Sequence, residues 1–143
     1  MALPEPEPGL VVSYAYLWHH EHRGGQEEGR KDRPCVIVLT TERASDGATV
    51  VTVLPFTSRV PDHTAAAIEI PQAIKNMLGL DAPRSWVMIS EGNKFVWPGY
   101  DLRKVLGNPT RYTYGFLPPR FFNNVLRAFG AWHKAGKGRL TGR

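Results

Sequence analysis

Arg33 stands where a polar stretch, His19 to Asp32 (HHEHRGGQEEGRKD), gives way to the apolar run Cys35 to Thr40 (CVIVLT). A guanidinium anchored at such a loop-to-strand junction reaches outward with little positional freedom, and its planar fork of donors fits the oxygens of a phosphate or carboxylate. Thr57 and Ser58 follow a second apolar run, Ala48 to Pro55 (ATVVTVLP), and their hydroxyls have the chemistry to hydrogen-bond the same kind of oxyanion. Taken singly, each is read more simply as a turn residue that satisfies local backbone groups. The cluster His19-His20-Glu21-His22 has three readings: a metal site, because His20 and His22 would share one face of a continued strand; a proton donor or acceptor; or a solvated strand end. His63 and His133 lie far along the chain and complete no ligand pattern, so no metal is expected. Cys35, flanked by Val36-Ile37-Val38-Leu39, reads as a small core residue and not as a nucleophile.

Other chemistries lack their signatures. The sequence has no glycine-rich phosphate loop ending in Lys-Ser or Lys-Thr, no Gly-x-Ser-x-Gly elbow and no paired cysteines spaced for zinc. No cofactor is expected. A single cysteine excludes an intrachain disulfide, and the opening MALPEPEPGL is the reverse of a basic, then apolar, secretion signal. The longest apolar runs fall far short of the about 18 residues that suggest a membrane span. A cytoplasmic protein without membrane attachment is the expectation. The net charge of +5 invites a nucleic-acid partner. However, Lys134, Lys137, Arg139 and Arg143 sit together in the last ten residues with no acid, leaving fourteen cations against thirteen acids elsewhere.

The elements that must position these residues follow from periodicity. Leu10 to Trp18 (LVVSYAYLW), after Pro8-Gly9, reads as a strand buried on both faces. Cys35–Thr40 and Ala48–Pro55 form a hairpin across Asp46-Gly47. Ala66 to Ile70 is a short strand, and Pro71 opens a short helix with Ile74, Met77 and Leu78 on one face and Gly79 as its stop. Ser85–Ser90 and Lys94–Trp97 read as further strands, ended at Pro98-Gly99. From Pro118 the period changes to 3.6, with Phe122, Val125, Leu126, Phe129 and Trp132 or His133 on one stripe of a terminal helix. At 143 residues, one domain is the default. The expected layout is a flexible segment 1–8, one domain 9–133 and a flexible basic tail 134–143. The fold class is mainly β (α+β): a small, strongly curved antiparallel barrel with a short inserted helix, covered by a C-terminal amphipathic helix.

In order along the chain, Gly9-Leu10-Val11-Val12, then GGQEEGRKDRPCVIVL with its Arg33-Pro34 step, then Val53-Leu54-Pro55-Phe56-Thr57-Ser58, the sequence resembles the MazF/PemK (Kid-like) growth-inhibitor toxins of type II toxin–antitoxin systems. The segment SWVMISEGNKFV extends the resemblance, with Glu91 at the place of the family's acid. Three departures stand out. The loop before Arg33 is about two residues longer than in the best-known members. Glu91 is followed by Gly92 where the family usually has Asp-Gln, and Ile89 replaces the arginine of PemK/Kid-type members.

The resemblance implies an SH3-like barrel, a homodimer and a metal-independent endoribonuclease acting on single-stranded RNA. In such cleavage the substrate's 2′-hydroxyl attacks, so the protein must take a proton, stabilise charge on phosphorus and protonate the leaving oxygen. Arg33 would stabilise the charge, and Thr57, with Ser58, would hydrogen-bond the phosphate. Glu91 is the first candidate for base, followed by His20 or His22. Lys31, Arg30 and Lys94 are candidate contacts to the RNA backbone, with solvated loop charge as the equal alternative. The resemblance further implies an antitoxin whose acidic segment lies over the RNA groove. The rival readings are a non-catalytic small-barrel binding module, a poison of a protein target such as a topoisomerase, and a toxin that has lost its activity.

Overall fold

β-branched and aromatic residues dominate the apolar runs near the N-terminus, and each run forms a strand. The computed structural model describes residues 3–19, 32–105 and 111–143. Strand β1 is Leu10–Tyr14, β2 is Arg33–Glu42 and β3 is Thr49–Thr57. All five residues of β1 are buried, as its weak alternation leads one to expect. β2 and β3 reach beyond the sequence-based limits and take in Arg33 and Thr57 themselves. Gly47, at φ +74°, makes the turn between them. The chain continues through a 3₁₀ turn, Thr64–Ala66, to β4 (Ala67–Glu69), α1 (Gln72–Leu78), β5 (Trp86–Met88), β6 (Glu91–Val96), β7 (Leu102–Arg103), β8 (Thr113–Phe116), α2 (Pro119–Lys134) and β9 (Arg139–Gly142).

The strands form one mainly antiparallel sheet with the central order β4-β5-β3-β2-β1-β7. Among the described residues no ladder joins its ends, so it is not closed. Two strands change partners partway along. β3 pairs with β6 over Val50–Val53 and with β5 at Phe56 and Thr57. β1 pairs with β8 over Leu10–Val12 and with β7 at Ser13 and Tyr14. A strand that divides its edge in this way forks the sheet; the mainly β class with its covering helix stands, and the expected closed barrel is corrected to an open, branched sheet.

Successive residues of β1, β2 and β3 supply two cores. Val11, Val36, Val38, Leu54 and Phe56 belong to one, while Val12, Tyr14, Cys35, Ile37, Val51 and Val53 belong to the other. The first is covered by α2, which buries Phe122 and Val125 and packs Leu126, Phe129 and Trp132 against it. In α1, Leu78 is buried and Gly79 adopts the left-handed stop at φ +75°. Met77 is corrected: it is 58% exposed, and Lys75 is buried in its stead. The Lys75 ammonium donates to the carbonyls of Ala82 and Pro83, which makes that burial tolerable.

The C-terminal segment is also corrected. The expected flexible tail contains β9, paired in parallel with β6 from Glu91↔Arg139 to Lys94↔Gly142. An edge of β6 left open by β3 offers unpaired backbone groups, and the tail fills it. Among the described residues, no helix is long and apolar enough to cross a membrane.

Candidate active site

The β2–β3 register places Cys35 opposite Pro55 and Val36 opposite Leu54. Carried two residues further, it sets Arg33 at the start of β2 across from Thr57 at the end of β3. Arg33 is partly buried, and its Nη1 donates to the Phe56 carbonyl at 3.2 Å. The guanidinium carbon lies 4.9 Å from the centroid of the Trp18 ring, within cation–π range. Among the described residues, its Nε is buried without a hydrogen-bond partner. A buried donor left unmade costs about 1–3 kcal/mol, a cost that an arriving oxyanion would remove.

The Thr57 hydroxyl oxygen accepts the Arg59 backbone N–H at 3.2 Å, which turns its own hydrogen to the role of donor. Arg33, Thr57 and the exposed Ser58 line one open groove of about 300 Å³, together with Asp32, Asp81 and Tyr114. Burial raises the Tyr114 phenol above its ordinary pKa, so the groove holds a protonated hydroxyl at neutral pH. Cys35, two residues from Arg33, is fully buried, and its thiol donates to the Arg33 carbonyl at 3.6 Å. Burial pushes that thiol far above its ordinary pKa, in keeping with a core role.

Glu91 is not among the residues lining this groove. Its Oε2 accepts the Tyr16 hydroxyl at 3.0 Å and the His19 backbone N–H at 2.8 Å. The Tyr16 and Trp18 rings pack in a T-shaped arrangement with centroids 5.0 Å apart, so Glu91 is joined to Arg33 through a chain of contacts across Tyr16 and Trp18. Burial, and then the Glu91 carboxylate, hold the Tyr16 phenol well above its usual pKa and therefore protonated.

Lys94 is exposed on β6, opposite Thr52, and does not line the groove. His20, His22, Arg30 and Lys31 lie outside the described residues. Two of the sequence departures acquire a packing reason. Ile89 belongs to the core beneath α2. At Gly92, a Cβ would lie 2.8 Å from the Val53 carbonyl oxygen and 3.2 Å from Leu140, so β6 cannot carry a side chain there while it is paired on both edges.

Sequence reasoning missed Trp18, Tyr16 and Asn93. Asn93 is fully buried in β6, where its side chain accepts the Leu17 N–H at 2.9 Å and donates to the Leu17 carbonyl at 2.8 Å. No sequence signal marked it: Asn93 stands in the polar stretch Glu91–Lys94, ahead of the expected strand Lys94–Trp97, and its partner lies 76 residues away.

A family model described as the PemK-like, MazF-like toxin of type II toxin–antitoxin systems matches residues 16–93, which contain Arg33, Thr57 and Glu91. No curated protein matches the chain.

Proposed function

The chain belongs to the PemK-like, MazF-like toxins of type II toxin–antitoxin systems, and from that premise we propose that it is a metal-independent endoribonuclease that cuts single-stranded RNA. The observation that carries this reading is the meeting of Arg33 and Thr57 on one groove, with a buried guanidinium Nε that has no acceptor among the described residues. A phosphate seated there receives charge-assisted hydrogen bonds from Arg33 and a neutral one from Thr57, with Ser58 alongside. Arg33 stabilises the added negative charge as the 2′-hydroxyl oxygen attacks phosphorus and the bond to the 5′-oxygen breaks. Its very high intrinsic pKa suits it to this role rather than to proton transfer. Glu91 does not line this groove and meets Arg33 only through ring contacts that carry no proton, so the 2′-hydroxyl proton is assigned to His20 or His22, and a solvent water protonates the leaving 5′-oxygen. The products are a 2′,3′-cyclic phosphate and a 5′-hydroxyl.

Membership of a type II toxin family implies an antitoxin partner. We assign it an acidic segment laid over the Arg33 groove, where carboxylates would take the place of phosphates. Action as a homodimer in the cytoplasm completes the reading. The test is end-mapping of a long RNA incubated in excess EDTA with wild type and with Arg33→Ala. Discrete cuts ending in cyclic phosphate, lost in the variant, support the proposal. Identical cuts from both proteins overturn it, and intact RNA that is nonetheless bound favours a non-catalytic module.

A further inference from the structure

We propose that Asn93 and Arg143 are positioning residues for Arg33, acting through a side-chain clamp on the segment Ala15–His19. The inference rests on the reading of Arg33 as the phosphate ligand. Beyond Tyr14 the chain leaves the sheet, yet Ala15, Tyr16 and Leu17 remain buried. Buried backbone outside a ladder must find partners elsewhere. The Ala15 and Tyr16 N–H groups donate to the backbone carbonyls of Asp101 and Tyr14, and side chains supply the further partners. Arg143 donates from Nη1 to the Ala15 carbonyl at 2.9 Å, Asn93 brackets Leu17 with two hydrogen bonds, and Glu91 accepts the His19 N–H.

The clamp is itself braced. The Arg143 side chain is 4% exposed and forms an ion pair with Asp101 at 2.8 Å. Its Nη1 also donates to Asn93 Oδ1 at 3.2 Å, and its backbone N–H continues the β9 pairing to the Lys94 carbonyl at 2.8 Å. Arg143 therefore fixes the rotamer of Asn93, and Asn93 fixes Leu17. Trp18 comes next, in contact with both the Tyr16 ring and the Arg33 guanidinium.

Arg33 is oriented by two things: the Phe56 carbonyl and the face of Trp18. Releasing the clamp leaves its charge in place and loosens its direction, so the loss should fall on the chemical step more than on binding. The C-terminal strand thereby belongs to the site without touching the substrate.

The experiment compares full-length wild type with Arg143→Met. A second variant, Asp101→Asn/Arg143→Met, removes both charges and leaves no unpaired carboxylate. The Trp18 indole N–H resonance, assigned with Trp18→Phe, reports the clamp independently of any activity. It should shift in both Arg143 variants while their circular dichroism stays native. In cleavage assays, kcat should fall about tenfold with KM within about twofold. Trp18→Leu combined with Arg143→Met should lose no more than the larger single change. An unmoved indole in a folded variant, or losses that multiply in the combination, would overturn the inference. A wild type that leaves RNA intact sinks the nuclease reading, and the indole result then decides the clamp by itself.

Discussion

At the scale of single residues, the groove separates charge from hydrogen bonding. Arg33 supplies a fork of cationic donors, and Thr57 supplies one hydroxyl whose acceptor side is already engaged by Arg59. Thr57→Ser keeps that hydroxyl and should retain most of the cleavage rate, whereas Thr57→Val, of nearly the same shape, should lower kcat by about 10²–10³-fold, the usual effect of deleting one transition-state donor. Single-turnover rates on a short RNA check this, and equal rates for the serine and valine variants would remove Thr57 from the reaction. Arg33 and Thr57 were legible in the sequence because both stand at strand ends, where an apolar run meets polar residues. Trp18 and Asn93 were not. Their roles depend on contacts that the segment after β1 makes with Asn93 in β6 and with Arg33 in β2, and no local pattern announces them.

Among the elements, β6 is the most constrained. β3 binds one edge over Val50–Val53, β9 binds the other, and a Cβ at Gly92 would press on atoms of both. Gly92→Ala should lower unfolding stability by about 1–3 kcal/mol through overpacking, measured by urea denaturation; an unchanged midpoint would mean that β9 yields easily. Helix α2 adds a pH dependence. His133 near its C-terminus packs against Phe129 with the rings tilted and their centroids 4.2 Å apart, and burial lowers its pKa from the ordinary value. A depressed histidine favours the neutral form in the folded state, so its contribution is fully present above about pH 6.5 and is lost as pH falls through the lowered value. The thermal midpoint of wild type should therefore drop between pH 7.5 and pH 5.5 by more than that of His133→Gln, and parallel curves would exclude the effect. The amphipathic stripe of α2 was readable from its 3.6 period, as were the hairpin and the stop at Gly79. The β9 pairing escaped because glycine and charge in the last ten residues read as solvated chain, while the open edge that receives them is defined only by the folded sheet.

For the molecule as a whole, strand composition indicated a mainly β fold with a covering helix. It did not reveal an open sheet, because period-two patterning says which face is buried and nothing about a strand that switches neighbours partway along. The cationic surplus at the C-terminus also changes meaning once folded: Arg143 is consumed internally by Asp101, and Arg139 lies beside Glu91 in the ladder. Cys35 joins these scales. It pairs with Val12 on one side and Pro55 on the other, at the centre of the strands that carry the groove, and it is the only cysteine in the chain. Alkylating reagents can reach that sulfur only when the central strands separate, so labelling followed over time is a clock for their opening. An RNA fragment that binds the groove should slow the clock in proportion to its occupancy. Mass spectrometry reads the result on unmodified protein, and a labelling rate indifferent to a bound fragment would mean that the groove and the central strands open independently.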